Sequence, residues 1–90
     1  MAKAILKIKI MPEAPDSDLE KIEIKAKEII EEEQGNNLRF EIEPIAFGLN
    51  AVNVIFIRDE SLDSDVLTDK LKKIHHVSSA EIVDFRRAIG

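Results

Sequence analysis

Four groups of residues in this 90-residue chain have types that could do chemistry: the pair His75-His76, the run Glu31-Glu32-Glu33, the pair Arg86-Arg87, and the stretch Glu43-Pro44-Ile45-Ala46-Phe47-Gly48-Leu49. Adjacent histidines at a helix end point in different directions and do not readily chelate one ion, so they read as cationic residues favourable at a helix C-terminus. The three glutamates read as a solvated helix end, although one unfavourable to the helix dipole. A metal-carrying domain would place soft ligands after its first strand; here that segment is MPEAPDSD, and Met11 alone reads as a filler of core gaps. The same segment cannot cradle a phosphate, because its two prolines lack N–H donors and its three carboxylates repel an oxyanion. No nucleophile can be assembled with a base and an orienting group. The sequence therefore implies no catalytic residues, no cofactor and no resident metal, although magnesium or calcium could decorate the acidic surface.

What remains is Phe47 with Gly48, and the arginine pair. Gly48 permits backbone conformations denied to other residues and close approach of another chain, while Phe47 offers a large apolar group at a turn. Most aromatics are buried, so composition alone favours Phe47 folding back over its hairpin to cap the core. Arg86 and Arg87 read on the same terms as exposed charges that keep an edge strand from aggregating.

Composition narrows the classes of function. Ninety residues predict one domain over 1–90, burying about 60–65% of its unfolded surface, with little room for a large internal cavity. There is no cysteine, hence no disulfide and no thiolate chemistry, and no apolar run suits a signal peptide or membrane span, so the expected address is the cytoplasm. Net charge is −5, with the acid concentrated in DSDLEKIEIKAKEIIEEE; no segregated basic face is evident, and cationic contacts are expected only from the termini. Direct nucleic-acid binding is not expected. The first strand lacks stacking aromatics, and the third has only Phe56, which argues against an RNA-recognition surface. Abundant Glu, Lys and Ile hint at a hot habitat.

The elements that must position these residues follow from periodicity. Ala4, Leu6, Ile8 and Ile10 alternate with Lys3, Lys7 and Lys9 in a half-buried strand over Ala2–Met11. Pro12 and Pro15 are expected to stop ladder pairing and form a connector. Ser17 and Glu20 form an S-x-x-E capping box for a helix over Asp18–Glu33, with Leu19, Ile22, Ala26, Ile29 and Ile30 on its apolar face. Gln34, Gly35, Asn36 and Asn37 end it, Gly or Asn taking the left-handed conformation. Strands over Leu38–Ile45 and Leu49–Arg58 form a hairpin around Ala46-Phe47-Gly48. The second of them, apolar on both faces over VIFI, is central, and the first fits an edge. A second helix starts near Ser64 with Val66, Leu67, Leu71 and Ile74 on one stripe and ends by His75, His76 and Ser78; the last strand spans Ser79–Arg86. The order β-α-β-β-α-β predicts an α+β, ferredoxin-like fold: a four-stranded antiparallel sheet in the order 4-1-3-2 with both helices on one face.

The stretches IKIMPEAPDSDLE, EIEPIAFGLNAVNV and VSSAEIVDFRRAI, in this order, resemble the archaeal form of translation elongation factor 1-beta, which is similar to the nucleotide-exchange domain of the eukaryotic factor. The resemblance implies a ferredoxin-like fold and an exchange factor that is not an enzyme. Its implied partner is the GTPase elongation factor 1-alpha, from which it releases GDP without making or breaking a bond. In the eukaryotic relatives the phenylalanine of the corresponding element enters a pocket of the GTPase, and a lysine near the C-terminus reaches the magnesium region. By that resemblance the partner-binding residues are Pro44, Phe47 and Gly48, together with Arg87, or Arg86 as the alternative. The chain departs from the pattern in carrying arginine where the relatives carry lysine, and in continuing through Ala88, Ile89 and Gly90. The competing reading is a non-catalytic interaction or small-ligand module on the same fold, which would bind a partner and leave GDP release unchanged.

Overall fold

The computed structural model describes residues 2–88. Among them the order is β1 (Lys3–Pro12), α1 (Leu19–Glu32), β2 (Asn36–Pro44), β3 (Asn50–Asp59), α2 (Ser64–Lys72) and β4 (Val77–Ala88). The four strands form one antiparallel sheet in the order β2-β3-β1-β4, the ferredoxin-like arrangement the element order predicts. Alternation decides the faces. Leu6 lies opposite Phe56, and Ile8 opposite Val54 on one side and Ile82 on the other. These side chains pack against Ile22, Ala26 and Ile30 of α1 and Leu67 and Leu71 of α2 to make the core.

Several local readings need correction. Pro12 does end β1, but as the last paired residue of the ladder and not the first beyond it: it pairs with Val77 after a register shift, and one further bond runs from the Glu13 N–H to the His76 carbonyl at 2.9 Å. Proline keeps its acceptor, so it is tolerated at a strand end beside an irregularity. The cap of α1 is Asp18, whose carboxylate accepts from the Lys21 N–H, because the Ser17 hydroxyl is already engaged by the Ala14 N–H in the connector turn. At the other end Gln34 takes the left-handed conformation at the helix terminus, φ 72°, and Asn37 takes it three residues on, at φ 56°. The Gln34 and Gly35 amides return to the carbonyls of Glu31 and Ile30, a Schellman motif. Gly35 is required for space instead, since a Cβ there would collide with Ile30 and crowd Phe56. On α2, Val66 is 43% exposed and Thr68 takes its place in the buried stripe, as the nine-residue helix presents only Leu67, Thr68 and Leu71 inward.

In β4 the register shifts between Lys7 and Ile8: Ile8 pairs with Ile82, but Lys7 pairs with Asp84, leaving Val83 as an extra residue. This bulge reverses the alternation, so Phe85 and Arg87 share the helix-side face with Leu6 and Ala4, while Asp84 and Arg86 lie on the open face.

One cation is built into the core. Arg58 is 3% exposed; its Nε donates to the Glu33 carbonyl at 2.7 Å and its Nη1 to the Asp63 carbonyl at 3.3 Å, while Nη2 lies 3.5 Å from the Glu33 carboxylate. Glu33 is the C-cap of α1 and Asp63 the N-cap of α2, so a single guanidinium ties both helices to β3. Lys70 also binds Glu33, at 2.6 Å, and this hydrogen bond, followed by the charges of Lys70 and Arg58, holds the Glu33 carboxyl below its ordinary value of 4.5. Across the open face the Asn53 amide donates to Glu43 at 2.8 Å, with Lys9 at 3.6 Å, which lowers the Glu43 carboxyl. Hydrogen bonds from the Ser61 amide and hydroxyl lower that of Asp59.

Two outcomes follow. Arg58→Ala strips the part-buried carbonyls of Glu33 and Asp63 of their side-chain donor and leaves the Glu33 carboxylate to Lys70 alone, and should lower stability by about 3 kcal/mol in urea denaturation. Arg58→Lys restores only part of this, because an ammonium lacks the planar fork. All three carboxyls have lowered folded pKa values, so the stability they confer is present above their unfolded values and is lost as pH falls through the lowered ones. The thermal midpoint should be nearly flat from pH 7 to about 5 and fall below about 4.5, and Glu33→Gln should make that acid limb shallower.

Candidate functional site: an exposed aromatic at the hairpin tip

The β2–β3 hairpin ends in an uncharged run, Pro44 to Leu49, in a chain of which 34% is charged. The Ile45 N–H donates to the Leu49 carbonyl at 2.8 Å and the Leu49 N–H to the Ala46 carbonyl at 3.0 Å, closing a tight turn with Phe47 and Gly48 at its centre. Both central residues have positive φ, 56° and 78° respectively. Such turns match the twist of a hairpin, but glycine, asparagine and aspartate are the residues that fill them without strain. A phenylalanine in the left-handed region costs about 1–2 kcal/mol.

Phe47 recovers none of this from packing. It is 96% exposed, the most exposed of the large apolar side chains in the described residues, so it does not cap the core as composition favoured. The positive φ of the turn places this residue at the very tip, and burial statistics cannot anticipate that. The tip is nevertheless firmly mounted. Its base is held by the Asn53–Glu43–Lys9 network; beside the β1–α1 connector, Gly48 leaves space in which a Cβ would sit at ordinary contact distance, 3.7 Å, from Pro15.

Arg86 and Arg87 are not part of this tip. Arg87 sits opposite Ala4, near the start of β1, whereas the hairpin tip projects beyond the end of β1, past the Ile10–Val52 pair. Arg58 pairs with Ala4 and lies eleven residues from Phe47, so at about 3.3 Å per residue the two regions are about 35 Å apart. The Arg87 side chain is 75% exposed and its Nε donates to Glu60 at 2.7 Å; Arg86, on the opposite face, lies 3.1 Å from Asp84. Half-exposed Phe85 and Val83 border this second region, an apolar surface that alternation alone did not reveal because the bulge at Val83 creates it. Ile89 and Gly90 lie outside the described residues.

Two further readings change. The rings of His75 and His76 do not splay apart: their centroids are 3.8 Å from each other, because α2 stops at Lys72 and His76 turns the backbone at φ 70°. Among the described residues no cluster of three or more His, Cys, Asp or Glu could hold a metal. Nor are cations confined to the termini, since lysines of α1 and α2 converge around a groove between the helices.

Residues 5–88 match the model of the EF-1 guanine nucleotide exchange domain family. The chain belongs to that family. It is 40% identical to elongation factor 1-beta of Nanoarchaeum equitans over 82 residues, covering 90% of this chain and all of that protein. It is 39% identical to the elongation factor 1-beta proteins of Methanobrevibacter smithii and Methanothermobacter thermautotrophicus, covering 97% of this chain and 98% of each relative. Among solved structures, the C-terminal domain LarC2 of a cyclometallase involved in synthesis of the NPN cofactor of lactate racemase superposes with a TM-score of 0.66 at 13% identity. It covers 99% of this chain and 58% of that one, a likeness of fold alone. No helix of the described residues is long and apolar enough to cross a membrane.

Strain and exposure at Phe47 make a direct prediction about this family member in isolation. Phe47→Asn, which tolerates the left-handed region, should raise unfolding free energy by about 1 kcal/mol, where Phe47→Ala leaves it nearly unchanged. Thermal denaturation of the two variants checks it.

Proposed function

We propose that this chain is a guanine-nucleotide exchange factor for elongation factor 1-alpha, promoting GDP release and GTP reloading during polypeptide elongation in the cytoplasm. The observation that carries the reading is Phe47, held in a strained conformation and 96% exposed at a braced hairpin tip, in a chain of the exchange-domain family. Strain that the free protein does not need is a mark of a binding group, and a rigid exposed aromatic loses little entropy when it enters a pocket.

The proposed mechanism needs two grips. Phe47, flanked by Pro44 and Gly48, anchors in a pocket of the GTPase and stabilises its open form. About 35 Å away along the sheet, Arg87 approaches the magnesium that helps the phosphate-binding loop hold GDP. A unit positive charge at about 5 Å from a divalent cation is repelled by about 7 kcal/mol at an effective dielectric of about 20. Releasing Arg87 from Glu60 costs far less, since exposed ion pairs are worth about 0–1 kcal/mol. Weakened magnesium loosens the phosphates, and GDP leaves.

Arg86 and Arg87 face opposite sides of the sheet, so only one of them can meet a given surface of the partner. Linkage requires that whatever factor weakens GDP binding is weakened by GDP in the same ratio, so incoming nucleotide expels the exchange factor. The chain itself performs no covalent chemistry in this scheme and needs no cofactor, and the direction of exchange follows the cellular excess of GTP.

Stopped-flow release of a fluorescent GDP from purified elongation factor 1-alpha, chased with unlabelled nucleotide, tests the reading. Catalytic amounts of the wild-type chain should accelerate release strongly, and Phe47→Asn and Arg87→Ala should each cut that acceleration by about tenfold or more. Absence of acceleration with an active GTPase refutes the exchange function. Wild-type acceleration by both folded variants removes the residue assignments while leaving the function.

A further inference from the structure

A second surface lies outside both grips. α1 runs away from the hairpin end of the sheet and α2 runs back toward it, and between them opens a groove of about 400 Å³. Its floor is apolar, made by half-buried Ile29 of α1 and Ile74 just past α2. Its rims are cationic: Lys21 and Lys25 stand one turn apart on α1, and Lys70 and Lys73 one turn apart across the groove. Lys25 is lightly engaged with Glu28 at 3.6 Å and Lys70 is held by Glu33, whereas Lys21 and Lys73 have no ion-pair partner among the described residues. Asp18 is the lone carboxylate lining the groove, and it is occupied in capping α1. A chain of net charge −5 has thus collected four ammonium groups, Lys21 and Lys73 without a counter-charge among the described residues, around one apolar trough that His75 and His76 also line and that adjoins Glu13 and Asp16 at its Asp18 end.

We propose that this groove docks an acidic segment of a partner protein, one that carries large apolar side chains between its carboxylates. Charge complementarity selects the sign, because Lys21 on one rim and Lys73 on the other lack counter-charges that an anionic chain lying between them would supply. The floor selects the rest. Burying a leucine or phenylalanine on Ile29 and Ile74 removes apolar surface from water on both partners, while the lysine stems cover its flanks and keep their charges at the rim. Amphipathic segments that lie in a helix-lined groove are a recurring mode of peptide recognition.

The arrangement disfavours the other anionic occupants. Nucleic-acid strands are held by successive stacking aromatics along a basic track, whereas here the floor is aliphatic and the lining rings, His75 and His76, lie against each other at one end of the groove. A fatty acid needs a deep apolar tunnel with charge at one end, whereas here the trough is open and cations line both sides.

The docking surface is independent of the exchange reading, since Lys21 and Lys73 belong to neither the Phe47 tip nor the Arg87 end. The probe is a fluorescein-labelled synthetic peptide of about twelve residues, enough for about three helical turns, with pairs of Glu alternating with Leu and Phe. It should bind saturably, perturb the amide resonances of Lys21, Lys25, Ile29, Lys73 and Ile74, and weaken as salt is raised. The double substitution Lys21→Glu, Lys73→Glu, on exposed positions, should weaken binding about tenfold or more and leave accelerated GDP release unchanged. Replacing Leu and Phe of the probe by Ser should abolish binding. The proposal is overturned if the probe shows no saturable binding, if the double variant binds it as tightly as wild type, or if the Ser control binds equally well. It is also overturned if a single-stranded RNA oligonucleotide or dodecanoate perturbs the same resonances at lower concentration than the peptide.

Discussion

The Arg58 guanidinium is the interaction on which the helix layer depends. An arginine at 3% exposure is stable only if its donors are satisfied, and the groups that satisfy it are the C-cap of α1 and the N-cap of α2. A helix C-terminus carries partial negative charge on its free carbonyls, so Glu33 offers the cation both a carbonyl and a carboxylate. One residue on a central strand thereby ties the end of α1 to the start of α2. Lys70, bound to the same Glu33, joins one rim of the cationic groove to that tie.

Stability and function are separated along the length of the sheet. The middle is an ordinary one-sided core, in which alternating apolar residues of four strands meet two helical stripes. At one end the hairpin tip accepts a left-handed phenylalanine with no packing in return, and the strain is held there by a hydrogen-bonded base. At the other end a bulge turns Arg87 and Phe85 to the helix side. Features that oppose stability thus concentrate where a partner is proposed to bind, as expected for sites shaped by recognition.

Much of the fold was legible in the residues. Period-2 alternation in Lys3–Ile10 marked a half-buried strand, the apolar stretch Val54–Ile57 marked a central one, and Arg39, Glu41 and Glu43 marked an edge, because each pattern reflects which faces water reaches. The position of Phe47 in a turn was also legible, from Gly48 between two alternating runs. Boundaries were less so: Ser17 and Asp18 are both good caps, and which one serves depends on the turn before them.

What the sequence by itself determined was therefore element type, sheet order and the placing of an aromatic at a hairpin, all consequences of local spacing and of solvent acting on alternate faces. Tertiary structure alone decided three things. The exposure of Phe47 follows from the φ of a turn, which has no periodicity to read. The face of Arg87 follows from one extra residue in β4, visible only in its pairing with β1. The cationic groove follows from bringing Lys21 and Lys25 beside Lys70 and Lys73, residues some fifty positions apart in an acidic chain. Each is a relation between distant segments, and such relations are set by packing because no local interaction encodes them.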